Sequence, residues 1–434
     1  GALGFLNSWD LPTYGLIVVL AYAISRAHRY GRATLGWVSE AVGFGALTLG
    51  AGLALYLPFY IGFRSQAGGL AAVTYAKTPW LQYVLIFGLF LSVLLPWLLE
   101  QGLAALRQSR RFSTYGVGLV VFMALPIAFT LASRGLGGAV LAGLFSAMQA
   151  PLLALALAIL LPLGVAGLLA RVFACGEKTD DSATFALLLA VTGLLLTYGT
   201  EFVYIRDHFV GSRMNTVFKF YYQAWLLMGI AAAWGVAETV RRIGSAQRSR
   251  TRAVHGLWLG AVALLFVTGL YYPIAAGTSQ AGLFRGQPTL DGTAWIEPNE
   301  AAAIAWLQGQ VGDDTVIILE APGDPYKANE DRVSAVTGLP TVLGWGGHES
   351  QWGRDDGEIS RRATDAETIY RATDSSRVLE LIRKYGIAYV YVGPFERTKY
   401  GLTTANLRAL DRLMDRVYDQ DGVTIYRTKE AESV

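Results

Sequence analysis

Apolar residues form long runs over roughly the first two thirds of the chain and short, punctuated runs after it. Runs of about twenty apolar residues match what a helix needs to cross the hydrocarbon core of a bilayer. Eight are predicted to be membrane helices: 11–25, 38–60, 80–99, 115–132, 148–169, 184–200, 218–240 and 257–275. The first and sixth are short and draw on flanking residues. Pro96, Pro126 and Pro162 fall inside runs and are expected to kink them, because proline removes a backbone donor and crowds the preceding turn.

Beyond residue 277 the pattern alternates between helical and strand periods. A helix at 299–310 precedes a buried-strand run at 316–319. An amphipathic helix at 377–385 ends at Gly386 before a second strand at 387–392, and 406–414 and 423–426 supply another helix and strand. This alternation predicts a small α/β domain with a largely parallel sheet. In such sheets the loops at the carboxyl ends of strands carry ligands, here 320–326 and 393–400. With the boundary expected within 277–286, the fold class is a polytopic α-helical membrane domain over 1–277 followed by a small α/β extracytoplasmic domain over 278–434.

Charge supplies the orientation. Thirteen Lys and Arg residues collect in the loops on one side of the predicted bundle, against six on the other. The richer side is taken as cytoplasmic. By alternation the opening NSWD segment, the 201–215 loop and everything after the eighth helix share the outer face. One helix more or fewer within the Gly-rich stretch 135–149 would invert half of this scheme.

Composition narrows the class further. Over 434 residues, 53% are hydrophobic and only 16% charged, which marks an integral protein of the cell membrane in contact with bilayer lipid. The single cysteine, Cys175, rules out an intrachain disulfide and reads as a small apolar filler. A net charge of +3, with no basic run interleaved with aromatics, gives no nucleic-acid partner. The opening GALGFLNSWD has no initiator Met, basic n-region or cleavage site, so a longer parent chain is expected.

Three stretches hold candidate chemistry. Between two apolar runs lie Glu201, Arg206, Asp207, His208, Arg213, Asn215 and Lys219. Charges of both signs at a membrane edge are costly to desolvate, which points to a polar site. With Asn215 as N-cap of the following helix, Arg213, Lys219 and the free first-turn amides would form an anion pocket for a lipid-carried phosphate. Glu201 and Asp207 would then act as catalytic carboxylates or hold a divalent cation, Mg or Mn. The structural alternative is that the cations snorkel to lipid headgroups while the acids pair with them.

In the second stretch, Asp10 before Leu11 and Pro12 is a helix start and Trp9 an interfacial anchor, though the carboxylate could face the same cavity as Asp207. The third stretch has Trp345 and Trp352 as flat faces for a sugar ring, with His348 and Glu349 to donate and accept. Its alternative is a Gly-rich loop whose tryptophans dock on the membrane domain.

The NSWDLPTY opening, the RMNTVFKFYYQAW stretch and LPTVLGWGGHESQW together resemble the multi-pass YYY membrane proteins, over essentially the whole chain. The layout is similar to GT-C type glycosyltransferases. That resemblance implies a polyprenyl-phosphate-linked sugar donor, an unknown glycan or protein acceptor, and a catalytic carboxylate in a first outer loop upstream of Gly1. Where the family pattern has an arginine after the second tryptophan, this chain has Gly353, with Arg354 one step later. Two other classes remain open: a lipid-carrier or glycan flippase, and a non-catalytic scaffold with a glycan-binding tail.

Overall fold

A computed structural model describes residues 1–30, 35–63, 65, 67–73, 77–108, 151–173, 180–207, 209, 211–245, 247–286, 288–312, 315–327 and 329–429. The predicted helix at 115–132 with Pro126, the 135–149 stretch, Cys175 and His208 lie outside the described residues. The chain divides into two compact units, Gly1–Gln280 and Ala281–Val434.

In the first unit the other seven apolar runs are helical. A short α1 (Ala2–Leu6) leads into α2 (Asp10–Tyr30) and α3 (Leu35–Leu55), which is followed by α4 (Leu57–Gly62). Next come α5 (Trp80–Gln108), α6 (Pro151–Val172), α7 (Asp181–Gly199), α8 (Met214–Ser245), α9 (Ser249–Gly269) and α10 (Tyr271–Gln280). Both α5 and α6 run through their prolines, Pro96 and Pro162, as single helices. Four stretches among the described residues are long and apolar enough to span a bilayer: Gly36–Leu55, Trp80–Ala105, Asp181–Gly199 and Ser249–Gln280.

Packing separates central from lipid-facing helices. In the α7 span 72% of the residues are buried, against 11% for Gly36–Leu55 and 6% for Ser249–Gln280. Leu187, Leu188 and Leu194 of α7 therefore form a core with Leu94 and Leu98 of α5, Leu157 and Leu161 of α6, and Leu227 and Met228 of α8. By contrast, Val42, Leu47 and Leu55 of α3 and Leu257, Leu264 and Val267 of α9 are exposed, as an apolar face turned to lipid requires. Glycine permits the closest crossings: a Cβ on Gly102 of α5 would lie 2.7 Å from Leu163 Cβ, and one on Gly193 of α7 would lie 2.6 Å from Met228 Cγ.

Two short strands that the apolar pattern does not announce complete this unit. β1 (Leu70–Ala72) pairs antiparallel with β2 (Val203–Ile205), Leu70 opposite Ile205. The helix after β2 begins at Met214, so Asn215 lies in its first turn and is not its N-cap.

The second unit holds α11 (Pro298–Val311), β3 (Ile317–Leu319), α12 (Arg332–Thr337), α13 (Gly346–Gln351), α14 (Asp356–Arg371) and α15 (Ser375–Tyr385). After these come β4 (Ile387–Val392), α16 (Pro394–Tyr400), α17 (Thr404–Leu413), β5 (Met414–Gln420) and β6 (Val423–Thr428). Its sheet runs in the order β3-β4-β6-β5. Only β3 and β4 are parallel, and the other two pairings are antiparallel, which corrects the expectation of a largely parallel sheet. For β5 and β6 the cause is local: Asp421 and Gly422, at φ of 47° and 83°, form a two-residue turn that can only join antiparallel strands.

Alternation along the strands sorts side chains to the two faces of this sheet. Leu319, Val390, Val392 and Tyr426 pack with Tyr370, Leu381 and Leu410 of α14, α15 and α17. On the opposite face Ile318, Tyr389, Tyr391 and Ile425 pack with Ile304 and Leu307 of α11. Capping fixes the helices on the first face: Asp355 accepts from Glu358 N, Asp374 from Ser376 N, and Gly386 closes α15 at φ 62°.

Candidate functional site

The charged loop after α7 is organised by an interior pair. Glu201 is 2% exposed and Arg213 8%. Arg213 Nη1 donates to Glu201 Oε1 at 2.9 Å and to the Thr200 carbonyl at 2.7 Å. Its Nη2 donates to Thr78 Oγ1 at 3.1 Å. Thr78 donates its amide to Glu201 Oε2 at 3.1 Å and its hydroxyl to Oε1 at 2.6 Å, and Tyr221 of α8 adds a hydroxyl at 3.4 Å. Lys77 donates to the Glu201 carbonyl and stands over the Phe202 ring.

An ionised carboxylate taken out of water needs this density of donors. The network ties the segment before α5 to the start of α8 through one side chain. Arg213, expected to receive an anion, is directed at Glu201 and the Thr200 carbonyl.

The other polar residues of the loop meet on a different face of α8. Asn215, Lys219 and Gln223 recur at four-residue spacing and form one stripe along the helix. Asn215 Nδ2 donates to Asp207 Oδ2 at 2.8 Å, while Asp207 Oδ1 accepts from Phe209 N at 2.9 Å. Lys219 Nζ lies 4.8 Å from the centre of the Trp9 ring. Gln223 Nε2 donates to Asp10 Oδ1 at 2.8 Å and to the Trp9 carbonyl at 3.2 Å. Asp10 opens α2 as expected, and the stripe joins it to Asp207 along about 12 Å of one helix face.

Lys219 and Arg206 form no ion pair among the described residues, and Arg206 is exposed. Beside the stripe, Phe220 stacks edge-on against Trp9 at 6.0 Å. The same Phe220 lines an apolar groove of about 490 Å³ with Leu195, Leu196, Phe202 and Ile205.

Among the described residues, the donors around Glu201 do not fit a protein-held divalent cation: Glu201 is engaged by Thr78, Arg213 and Tyr221, and it shares no described hydrogen-bond partner with Asp207. Among the described residues no three His, Cys, Asp or Glu side chains converge at ligating distance.

In the second unit the expected Gly-rich loop carrying His348 and Glu349 is the short helix α13, with Trp345 at its start and Trp352 at its end. Trp345 Nε1 donates to the Glu330 carbonyl at 2.9 Å, and the rings of Tyr326, Trp345 and His348 contact one another. Glu349 pairs with Arg354. Trp352 is 76% exposed.

Carboxylates also gather where β3 and β4 end. Glu320 is fully buried and accepts from Val333 N at 2.8 Å and Ser334 N at 2.6 Å at the start of α12; burial pushes it up to about 7. Asp331 is buried, and burial together with Glu320 pushes its pKa up to about 8. Close by, Arg332 is held between Glu300 and Glu396, which raises its pKa.

Charge and loop position singled out Glu201, Asp207, Arg213, Asn215 and Lys219 in the sequence. Thr78 and Tyr221 carry no such signal, being uncharged, and Thr78 stands 123 residues before Glu201 in the chain. Gln223 does carry one, as a lone amide inside an apolar run. Asp331 is one acid among several in its loop and becomes distinctive only through burial.

A family model for an uncharacterized membrane protein (DUF2298) matches residues 1–228. No curated protein matches the chain. Among solved structures, the crystal structure of the C-terminal globular domain of an oligosaccharyltransferase from Archaeoglobus fulgidus is similar over 31% of this chain and 99% of its own. That likeness has 10% identity and a TM-score of 0.22, too low to carry fold or function across.

Proposed function

The chain belongs to the uncharacterized membrane protein family DUF2298 and is a multi-pass membrane protein, and from that premise we propose that it is a glycosyltransferase of GT-C type, taking sugar from a polyprenyl-phosphate donor at the extracytoplasmic face. The observation that carries this reading is the adjacency of Lys219 and Phe220. The first presents a cation near the N-terminal end of α8, and the second lines the apolar groove. A lipid-linked phosphate has the matching chemistry, an anion joined to a long apolar tail.

In this mechanism a hydroxyl of the glycan or protein acceptor attacks the anomeric carbon. The new C–O bond forms as the bond to the donor phosphate breaks, and its electron pair leaves on the phosphate oxygen. Lys219, with Arg206 nearby in the chain, stabilises that developing charge. The acceptor proton passes to a carboxylate on the same helix face, Asp207 or Asp10. Glu201 and Arg213 hold the loop that carries Arg206 and Asp207, and they touch neither reactant.

Transfer of radiolabelled sugar from a polyprenyl-phosphate donor, in membranes carrying the protein, tests this assignment. Lys219→Ala and Asp207→Asn should each reduce transfer at least tenfold while the protein remains inserted at its wild-type level. Undiminished transfer in both variants would remove the stripe from the mechanism. No transfer by wild type with any donor would defeat the reading and leave the flippase and scaffold classes.

A further inference from the structure

A cavity of about 230 Å³ lies between the second half of α5, the C-terminal part of α8 and the first half of α9. Glu100, in its lining, stands about 30 Å along α5 from Trp80, which is the thickness of a hydrocarbon core. Thr78 and the Glu201 network sit at the Trp80 end, so this cavity belongs to the opposite membrane boundary. Its volume is below the roughly 300–1,000 Å³ of pockets for drug-sized molecules, which limits the occupant to a small polar group and the first carbons attached to it.

The walls are aromatic. Trp97 and Trp234 contact at 4.9 Å between ring centres, and Trp258 is fixed by its Nε1–H, which donates to the Ser92 carbonyl at 3.2 Å. Indole faces attract cations through the ring quadrupole. Two of the polar lining groups have committed their protons elsewhere. Thr239 Oγ1 donates to the Gly235 carbonyl at 2.8 Å and His255 Nδ1 to the Thr251 carbonyl at 2.8 Å. What remains on each is an acceptor: the Thr239 hydroxyl lone pairs and Nε2 of the neutral His255 ring, which accepts from no described residue.

Glu100 and Glu238 bring two carboxylates to the lining against one guanidinium, that of Arg242. The guanidinium is turned on the acids, with Nε donating to Glu238 Oε1 at 2.9 Å and Nη1 to the two Glu100 oxygens at 3.2 and 3.1 Å. Glu100 keeps lone pairs to spare, its side chain being 53% exposed.

We propose that this cavity binds a primary alkylammonium group, its N–H bonds directed to Glu100, Thr239 Oγ1 and His255 Nε2 and its first carbons packed against the tryptophan rings. An ammonium has three donors and no acceptor, the complement of a lining rich in acceptors. An anion would face two carboxylates, and Arg242 is already paired with both. An alcohol brings one proton and no charge, and a quaternary ammonium brings the charge without an N–H. Two sources carry the required chemistry at a membrane, an aminophospholipid headgroup and a free alkylamine. The site uses neither Lys219 nor Asp207, so it stands or falls apart from the transferase reading.

The test is calorimetric titration of the full chain in phosphatidylcholine nanodiscs with hexylammonium chloride, corrected against empty nanodiscs, with hexanol and hexanoate as matched probes. Hexylammonium should bind saturably, while the other two should show only the partitioning seen without protein. Glu100→Gln should weaken binding roughly tenfold, the worth of one charge-assisted hydrogen bond, and Thr239→Val roughly threefold. Melting temperatures should be unchanged, because the Glu100 pair with Arg242 is half-exposed and valine keeps the shape of threonine. Repeating the wild-type titration in phosphatidylethanolamine nanodiscs separates the sources: abolished hexylammonium binding makes a lipid headgroup the occupant, and unchanged binding makes it a free amine. The proposal is overturned if wild type shows no saturable hexylammonium binding in phosphatidylcholine, or binds hexanol equally well. Folded Glu100→Gln and Thr239→Val variants that both bind hexylammonium as tightly as wild type would overturn it too.

Discussion

Replacing Arg213 by Met keeps most of the side-chain volume and removes the guanidinium from an interior carboxylate. Glu201 would keep the Thr78 amide and hydroxyl and the Tyr221 hydroxyl, and would lose its only ion-pair partner among the described residues. Arg213 also satisfies the Thr200 carbonyl, so a second buried acceptor is orphaned. Breaking a buried pair from one side costs about 3–5 kcal/mol. For a unit of this size that corresponds to a fall in melting temperature of roughly 10 °C. The double variant Glu201→Gln/Arg213→Met removes both charges and should recover most of the loss, ending within about 1–2 kcal/mol of wild type, a coupling of at least ~2 kcal/mol. Thermal unfolding followed by fluorescence in nanodiscs, at one fixed scan rate, measures all four members of the cycle. A single-variant loss below ~1 kcal/mol, or a double variant as unstable as the sum of the singles, would refute the claim that this pair fastens the loop to α8.

The second unit should weaken as pH rises. Glu320 and Asp331 have raised pKa values, so both hold protons more tightly folded than unfolded. Their contribution is full below the ordinary carboxylate range near ~4 and is lost as pH climbs through about 7 to 8. Hydrogen exchange of β3 and β4, corrected for intrinsic rates, should therefore show declining protection from about pH 5 to 9, with a shallower slope in Asp331→Asn. In the membrane unit, Gly102→Ala should destabilise by roughly 1–3 kcal/mol because its Cβ would also lie 2.9 Å from the Leu163 carbonyl. Gly193→Ala should cost less, since its nearest neighbour is the flexible Met228 side chain. Gly43→Ala, with nothing within 4 Å, should be neutral; melting temperatures in one detergent rank all three.

Membrane helices were legible because their signal is length and apolarity, which every run declares locally. In the second unit, 387–392 coincides with β4, since six consecutive apolar residues after a helix-ending glycine leave few alternatives. The helix α14 escaped because Glu358, Arg361, Arg362 and Glu367 dominate its sequence, and its buried apolar residues are only Ala366, Ile369 and Tyr370. β5 escaped for the same reason: MDRVYDQ is a polar edge strand whose place is set by the Asp421-Gly422 turn and by pairing with β6. At the membrane site, charge density located the loop, while the pairing within it did not follow. Which cation answers Glu201 depends on Thr78 and Tyr221, and no local pattern connects residues so far apart.

The ladder between β1 and β2 bears on how the chain threads the bilayer. Backbone hydrogen bonds of this kind cannot be made through a membrane, so residues 70–72 and 203–205 share a compartment. The chain between them therefore makes an even number of crossings, whatever that number is. Counting helices from hydropathy is fragile, because one miscount flips every later loop. Here parity is fixed by a hydrogen-bonded contact, and Lys77, Thr78, Glu201 and Arg213 can only change sides together.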